Sequence, residues 1–277
     1  MSKGVAVITG AAAGIGAGLA RQAAAAGYDL VLADIDEAGL ADVAGPLEGS
    51  VSILARATDV SKPSDLDTLA AETRDRFGAP TMLFANAGIE MAGNTWELSA
   101  DQWDRIIGIN IAGAIHTVRA FARPMVERQQ EARIALTASL AGLSMLPVKT
   151  PYIVSKHAVV SFAECLSLEM QRRSPQVKVS VICPGPVSTS IVAKTSLAAG
   201  SSDASAHQKR MGEMVDNSGM TGDQAAEIIF AAVQRGDFWV STHPDLLRDL
   251  ADGRGRYLSA LAEPSFDPAM SFILGDD

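Results

Sequence analysis

The sequence predicts a single α/β domain built on a doubly wound parallel sheet with helices on both faces. Short, continuously apolar runs alternate with longer segments of helical periodicity along almost the whole chain. Such apolar runs are typical of strands buried on both faces, and parallel strands need the intervening helices as crossover connections. The 277-residue sequence contains no Ser/Gly/Pro-rich linker and no internal repeat, so we expect one domain.

The predicted elements follow one another in strict alternation. Strands are expected at Val5–Thr9, Asp29–Ala33, Val51–Thr58, Thr81–Ala85, Arg133–Thr137, Val177–Cys183 and Phe238–Ser241. Helices are expected at Gly14–Ala26, Glu37–Leu47, from a cap at Ser61 to Phe77-Gly78, and at Ser99–Glu127, Pro151–Arg173 and Asp223–Arg235.

Two further segments lie outside this alternation. The segment Ser188–Thr221 shows no clear period and follows the end of a strand, where open α/β sheets bind ligands, so we expect a substrate loop there. The residues from Pro244 to Asp277 form a C-terminal helical tail to which no role is assigned.

Composition excludes several classes of partner. The formal net charge is −9 and no Lys/Arg cluster is present, so we expect no nucleic acid partner. No apolar run reaches membrane-spanning length, so no membrane partner is expected. Cys165 and Cys183 fit neither a disulfide framework nor a zinc spacing; we expect both to be buried and reduced, in a cytoplasmic protein. The four histidines show no metal-ligand spacing, so no metal is expected.

A glycine-rich turn joins the first strand to the first helix and contains Gly10, Gly14, Ile15 and Gly16. Glycines let the backbone approach a diphosphate closely, and the helix N-terminus offers free N–H groups to it. A tight turn without a ligand remains the alternative. The turn has no Lys, which excludes the phosphate loop of nucleotide triphosphatases.

Asp34, at the end of the second strand, indicates which dinucleotide the turn would bind. A carboxylate there accepts hydrogen bonds from both adenine-ribose hydroxyls and repels the additional phosphate of NADP. No basic residue follows Asp34 or replaces Ala13 in the turn. The sequence therefore predicts NAD (NADH) as the cofactor, with NADP less favoured. The alternative, an Asp that caps the next helix, suits Asp36 better.

Tyr152 and Lys156 lie four residues apart and share a helix face. A neighbouring ammonium favours the phenolate and so lowers the pKa of a tyrosine, which prepares it to exchange a proton with an alcohol or carbonyl. Ser139 could hold the substrate oxygen beside this tyrosine, and Asn110 could bind a water that links Lys156 to solvent. The alternatives are an exposed helix face for the Tyr–Lys pair, a turn cap for Ser139 and a helix-packing hydrogen bond for Asn110.

Taken together and in order, the motifs resemble those of the short-chain dehydrogenase/reductase family from Val5 to about Ser241. They are Thr9-Gly10-xxx-Gly14-Ile15-Gly16, Asp59-Val60, Asn86-Ala87-Gly88, Asn110, Ser139, Tyr152-xxx-Lys156 and Pro184-Gly185-Pro186-Val187-Ser188-Thr189. Ala85 and Ala138 stand where family members often have another Asn or Ser. The resemblance implies a Rossmann-type fold.

The resemblance also implies the roles of cofactor-binding positions. Asp59 and Val60 would hold the adenine, and Asn86 and Gly88 would flank the nucleotide. The nicotinamide end would be bordered by Pro184, Gly185, Val187 and Thr189.

The resemblance implies the following roles in the chemistry. Tyr152 would be the general acid/base, and Lys156 would lower the pKa of Tyr152 and bind the nicotinamide ribose. Ser139 would orient the substrate oxygen, and Asn110 would complete a proton relay. The implied reaction is hydride transfer between NAD(H) and a secondary alcohol or ketone.

Apolar residues beside these motifs predict a hydrophobic small-molecule substrate. The expected pocket residues are Leu140, Leu146, Val148, Ile191 and Val192. The side chains of Met211, Met214 and Met220 either line this pocket or fill the core. Glu90 either faces the substrate entrance or is a solvated loop carboxylate, and the second interpretation is favoured. The resemblance also implies a homodimer or homotetramer assembled through the two long helices.

The sequence features also bear on two alternatives to a dehydrogenase. A non-catalytic nucleotide-binding scaffold or sensor of this fold would be expected to have lost Tyr152 or Lys156, and both are present. A nicotinamide-dependent epimerase or dehydratase would be expected to have a different glycine spacing and a larger C-terminal substrate domain.

Overall fold

The structure is a computed structural model in which residues 2–265 are described. The strands are β1 Val5–Thr9, β2 Asp29–Asp34, β3 Ile53–Ala57, β4 Met82–Ala85, β5 Met91–Ala92, β6 Ala132–Thr137, β7 Val177–Cys183, β8 Val187–Ser188, β9 Ser196–Leu197, β10 Met220–Thr221 and β11 Trp239–Ser241. The helices are α1 Gly14–Ala25, α2 Glu37–Ala44, α3 Pro63–Phe77, α4 Ala100–Ile106, α5 Gly113–Glu127, α6 Thr150–Arg173, α7 Ser190–Ala193, α8 Ser202–Ser218, α9 Gly222–Arg235 and α10 Pro244–Ala260.

The central sheet confirms the predicted fold class. Its strands are hydrogen-bonded in the order β11-β7-β6-β4-β1-β2-β3, and each neighbouring pair is parallel. The chain proceeds from β1 to one edge and then returns to β4 to build toward the other edge. A crevice therefore opens at the carboxyl ends of β1 and β4, where such sheets bind ligands.

Two apolar layers cover the sheet. On one face, Ala6 and Ile8 of β1 belong to a buried cluster with residues of α1, α2 and α9. On the other face, Val5 and Val7 belong to a cluster with residues of α3, α5 and α6. Alternate residues of one strand thus face opposite layers, which explains why β1 is apolar throughout.

The long helix predicted at Ser99–Glu127 contains a π-helical segment. Ser99 caps α4 through a capping box with Gln102, residues 107–112 form the π segment, and α5 follows without a break. An extra residue in a turn re-aims the side chains that follow it, and such bulges are frequent at functional sites.

Helix α3 begins later than predicted, because Ser61 does not cap it. Pro63 occupies the first turn and Lys62 is the N-cap. Proline suits this position, since it has no N–H to leave unpaired, and it disfavours a helical residue before it. The hydroxyl of Ser61 instead donates to the Asp59 carboxylate at 2.6 Å.

The segment Ser188–Thr221 is not the structureless loop that its weak periodicity suggested. It contains α7 and the 17-residue helix α8, whose N-cap Ser201 accepts a hydrogen bond from the Ala204 amide. The pair β8–β10 joins the two ends of the segment to each other, and the pair β5–β9 joins its Ser196–Leu197 part to the chain after β4. The inward positions of α8 include Ala204 and His207, and these residues are too small or too polar to produce a clear hydrophobic period.

The expectation of buried cysteines is correct for one of the two. Cys183 is buried as expected, but Cys165 is exposed because it lies on the outer face of α6. Of the predicted C-terminal tail, α10 is described, and residues 266–277 lie outside the described part of the chain. Within residues 2–265, no helix is long and apolar enough to cross a membrane, and no three His, Cys, Asp or Glu side chains are grouped to hold a metal ion.

Candidate active site

A cavity of about 880 Å³ occupies the crevice at the carboxyl ends of the sheet strands. It extends from the glycine turn to the N-terminal part of α6 and is bordered by α7 and α8. The predicted site residues that line it are Gly10, Gly14, Ile15, Gly16, Asp34, Asp59, Val60, Asn86, Gly88, Ser139, Leu140, Leu146, Tyr152, Lys156, Pro184, Gly185, Val187, Thr189, Ile191 and Val192. The fold therefore brings residues from the whole sequence to one cleft.

The conformation of the glycine turn depends on Gly10, Gly14 and Gly16. Gly10 and Gly14 have φ angles of +66° and +53°, in the left-handed region that favours glycine. A Cβ atom on Gly16 would lie 1.9 Å from the carbonyl oxygen of Gly10, so the backbones of turn and helix are in direct contact. Ala13, the N-cap of α1, has no side-chain acceptor, and the first amides of the helix are therefore available to an anion.

Asp34 lies beside this turn at the end of β2. Its Oδ2 atom accepts a hydrogen bond from the Ala12 amide at 3.1 Å, and its Oδ1 atom accepts one from the Asp36 amide at 3.1 Å. These bonds hold the half-buried carboxylate at the wall of the cleft. Asp36 caps α2 through the Gly39 amide, the role that the sequence left open for it.

Tyr152 lies between two lysine side chains and a serine. The Ser139 side chain interacts with its hydroxyl, and the Nζ atom of Lys156 lies 5.5 Å from the centre of its ring. Lys156 also donates to the carbonyl oxygen of Thr137 at 2.9 Å. Ser139 in addition accepts a hydrogen bond from the Ala141 amide, so it both caps a turn and contacts the tyrosine.

Burial is the largest influence on the pKa values of Tyr152 and Lys156. It lowers the pKa of Lys156 to about 8, against the opposing charges of Cys183 and Glu90. Burial, together with the Glu90 charge, raises the pKa of Tyr152, while the Ser139 hydrogen bond opposes this shift. The sequence predicts that Lys156 lowers the pKa of Tyr152; burial instead raises it.

Asn110 lies behind the cleft, in the π-helical segment. Its side-chain oxygen accepts from the Ile89 amide at 2.8 Å, and its side-chain nitrogen donates to the Ile89 carbonyl and to the Ser155 hydroxyl, both at 2.9 Å. Asn110 thus joins the segment after β4 to α6. This is the packing role that the sequence left open, and the water relay stays a prediction.

Asn86 joins three strands at the bottom of the cleft. Its side-chain nitrogen donates to the carbonyl oxygens of Thr9 and Gly10, and its oxygen accepts from the Thr137 hydroxyl at 3.1 Å. The same Thr137 provides the carbonyl that holds Lys156. The glycine turn and the Lys156 side chain are therefore positioned by one hydrogen-bonded unit.

Comparison with known proteins identifies the family. The sequence pattern described as short chain dehydrogenase matches residues 4–200. The chain belongs to this family. Membership makes it a short-chain dehydrogenase-type oxidoreductase and confirms the resemblance found in its motifs.

Individual members of the family are similar over much of their length. D-beta-hydroxybutyrate dehydrogenase of Rhizobium meliloti is 37% identical over 68% of this chain and 73% of its own. The CLA biosynthesis dehydrogenase/reductase of Lactiplantibacillus plantarum is 29% identical over 86% and 87%. A short-chain dehydrogenase/reductase from Burkholderia phymatum, solved in complex with NAD, is 33% identical and superposes with a TM-score of 0.90 over 96% of this chain and 98% of that one.

The substrate side of this short-chain dehydrogenase differs from expectation at Val148. Its side chain does not reach the cleft but packs in a buried cluster with Ala92 and Ala204, because its backbone turns through a left-handed φ of +67°. Met211 and Met214 line the cleft, whereas Met220 packs against the core near the sheet.

Sequence reasoning missed Lys149 and favoured the wrong environment for Glu90. Glu90 is buried rather than solvated, and its Oε1 atom lies 2.5 Å from the Nζ atom of Lys149. They are far apart in the sequence, and neither belongs to a motif. Only their positions beside motifs could have indicated that they lie in the cleft. Glu90 follows Asn86-Ala-Gly88, and Lys149 precedes Tyr152.

Proposed function

We propose that this protein transfers a hydride between NAD and a secondary alcohol or ketone that carries an apolar group. One observation carries the proposal. Tyr152, with Ser139 beside it and the Lys156 ammonium 5.5 Å from its ring centre, lies in the same cleft as a glycine turn at a helix N-terminus. A proton-transfer group and a diphosphate site in one cleft are what such a reaction requires.

The residues of the cleft fit NAD from end to end. The open amides of α1 suit the diphosphate, and the carboxylate of Asp34 suits the unphosphorylated adenine ribose. Asp59 and Val60 line the expected adenine end. At the other end Lys156 would bind the nicotinamide ribose, beside Pro184, Gly185, Val187 and Thr189. When bound, NAD supplies the carbon atom that accepts or donates the hydride.

Tyr152 handles the proton. In the direction of reduction its hydroxyl gives a proton to the substrate oxygen as the hydride reaches the neighbouring carbon. Its raised pKa keeps the hydroxyl protonated at neutral pH, which suits this direction. In the direction of oxidation the tyrosine reacts as its phenolate, which takes the proton from the alcohol, and the nearby ammonium of Lys156 stabilises that phenolate.

Ser139 and Asn110 position the reacting groups. The Ser139 hydroxyl lies beside Tyr152 in the cleft and would hold the substrate oxygen there. Asn110 fixes the start of α6 through Ser155, whose hydroxyl donates to the Tyr152 carbonyl at 2.8 Å. The apolar part of the substrate would lie against Leu140, Leu146, Ile191 and Val192, which line the cleft.

A homodimer or homotetramer remains part of the proposal. Ile115 of α5 and Val154 and Leu168 of α6 are exposed apolar side chains on the two long helices. Such side chains favour contact between copies. Light scattering during gel filtration gives the oligomeric state. The cytoplasmic location stays a prediction.

The test of the proposed function needs two measurements. The first is the shift in melting temperature produced by NADH and, separately, by NADPH. A ligand at about 100 times its Kd adds roughly 2.7 kcal/mol to the folded state. The second is oxidation of a panel of secondary alcohols with NAD, followed by the absorbance of NADH. We expect a larger shift with NADH and turnover of apolar alcohols. No shift with either cofactor would favour the non-catalytic scaffold.

A further inference from the structure

Glu90 and Lys149 form a buried ion pair in the wall of the cleft. The Nζ and Oε1 atoms are 2.5 Å apart, and only 9% of the lysine and 5% of the glutamate side chain is exposed. Both residues line the cavity. Burying two charges removes them from water, and their mutual attraction does not always offset that loss. A pair held this way beside a ligand cavity therefore calls for an explanation.

The backbone before Lys149 is strained in a way that directs this residue inward. Val148 has a φ of +67°, a region that β-branched residues rarely adopt. The Gly93 amide donates to the Val148 carbonyl at 2.7 Å and helps to hold this conformation. Strain of this kind persists where the surrounding structure imposes it, commonly at functional sites. The strained backbone at Val148 is therefore a second observation, independent of the ion pair, that points to a functional role for this part of the cleft.

The pair is adjacent to the proton-transfer group. The Nζ atom of Lys149 lies 4.8 Å from the centre of the Tyr152 ring. Leu146 and Ile191, two of the apolar residues expected to contact substrate, line the same cavity. A substituent close to the reacting carbon would therefore meet both a carboxylate and an ammonium.

We propose that the Glu90–Lys149 pair is a subsite for a second, uncharged polar group of the substrate, a hydroxyl, so that the preferred substrates are diols and hydroxy ketones with an apolar tail. This inference rests on the proposed function and specifies its substrate class.

The chemistry of the pair selects a hydroxyl over the alternatives. A hydroxyl both donates and accepts, so it can donate to Glu90 while it accepts from Lys149. A hydrocarbon substituent would remove water from the pair and return no hydrogen bond. A carboxylate would be attracted by Lys149 and repelled by Glu90, since the pair has no net charge.

Three matched eight-carbon alcohols test the inference. They are 3-octanol, 1,3-octanediol and 3-hydroxyoctanoate, which share the reacting carbon and the apolar tail and differ only in a methyl, hydroxymethyl or carboxylate group. In each oxidation the hydride on C3 passes to NAD and the proton of the C3 hydroxyl passes to Tyr152. We expect kcat/KM for the diol to exceed that for each of the others by at least ~10-fold, because sites built to bind a hydroxyl discriminate strongly against its absence.

Variants assign the preference to the pair. Glu90→Gln leaves the Lys149 ammonium without its counter-charge, so the preference should move from the diol to 3-hydroxyoctanoate. The double variant Glu90→Leu/Lys149→Met should bring kcat/KM for 3-octanol level with that for the diol. Glu127→Gln, which removes an exposed carboxylate outside the cleft, is the control and should keep the wild-type order. The melting shift with NADH shows whether each variant is folded.

A binding measurement separates failure of the inference from failure of the proposed function. The melting shift of the protein with NADH is measured again after adding 3-octanol or the diol, and the diol should add the larger shift. Equal kcat/KM for the two in the wild-type protein, or a wild-type preference for 3-hydroxyoctanoate, would overturn the subsite and leave the dehydrogenase function standing. Oxidation of none of the three would contradict the dehydrogenase function, and equal melting shifts would then overturn the subsite as well.

Discussion

Lys156 donates a hydrogen bond from its Nζ atom to the carbonyl oxygen of Thr137 at 2.9 Å, which ties the ammonium to the last residue of strand β6. The side chain of Thr137 is bonded in turn to Asn86, which holds the glycine turn. The proton-transfer residues on α6 are therefore fixed to the same sheet end as the proposed diphosphate site. Rigid support of this kind keeps reacting groups within the small tolerances that catalysis requires.

Replacing Tyr152 by Phe should abolish most of the activity and leave the cofactor site intact. The substitution removes the hydroxyl that exchanges the proton, and proton-transfer groups contribute about 10²–10⁴-fold to rates. We expect kcat for alcohol oxidation to fall by that factor while the melting shift with NADH is retained. Tyr257→Phe, on helix α10 and outside the cleft, is the matched control. Full activity in Tyr152→Phe would exclude the proposed mechanism.

The sheet and the motif-bearing part of the site were predictable because their signals are local. The central strands are apolar on both faces, and Gly10, Gly14 and Gly16 occur together in a turn where side chains would be strained or would clash. The Tyr152–Lys156 spacing places two side chains on one helix face without any tertiary information. Each of these features can be recognised in a stretch of a few consecutive residues.

The substrate side was not predictable from the same kind of signal. Burial of Glu90 depends on Lys149, which is distant in the sequence, and on a left-handed Val148 that no propensity favours. Helix α8 was missed because Ala204 and His207 occupy inward positions that contribute little to a hydrophobic period. Contacts between remote segments decide these features, and periodicity does not report such contacts.

Gly16→Ala should disrupt the glycine turn. The new Cβ would lie 1.9 Å from the carbonyl oxygen of Gly10 and 2.8 Å from the side-chain nitrogen of Asn86, so the backbone must move. We expect a loss of stability of about 1–3 kcal/mol, typical of overpacking, and loss of the NADH-induced melting shift. Gly253→Ala is the control, since no atom lies within 4 Å of its added Cβ. A Gly16→Ala protein with wild-type melting temperature and NADH response would contradict this reading of the turn.

Cofactor choice should depend on the charge at Asp34. We expect Asp34→Ala combined with Ile35→Arg to lower the ratio of kcat/KM with NAD to that with NADP by at least ~10-fold. The change removes the carboxylate that suits a free ribose hydroxyl and provides a guanidinium for the additional phosphate. Glu37→Ala, in the exposed first turn of α2 and outside the cleft, should leave the ratio unchanged. An unchanged ratio in the double variant would assign cofactor choice to other residues.

Lys156 should make the stability of the fold depend on pH in the alkaline range. Burial lowers its pKa from 10.5 to about 8, so between these values the unfolded chain binds a proton that the folded chain does not. Stability therefore rises with pH across this window, relative to a variant without the group, and stays constant below it, where both states are protonated. The window of about 2.5 pH units corresponds to a change on the order of 3 kcal/mol.

The measurement is the difference in unfolding free energy between the wild-type protein and Lys156→Met at several pH values from 7 to 10.5. The wild-type protein should gain on the variant only above about pH 8, because the group begins to lose its proton in the folded state there. Comparing two proteins at each pH removes the titration of shared groups that do not interact with Lys156. Lys178→Met, which removes an exposed lysine from β7, should show no such window. A difference between wild type and Lys156→Met that stays flat throughout would mean that the buried side chain keeps its proton, and that the ammonium beside Tyr152 remains charged over the whole range.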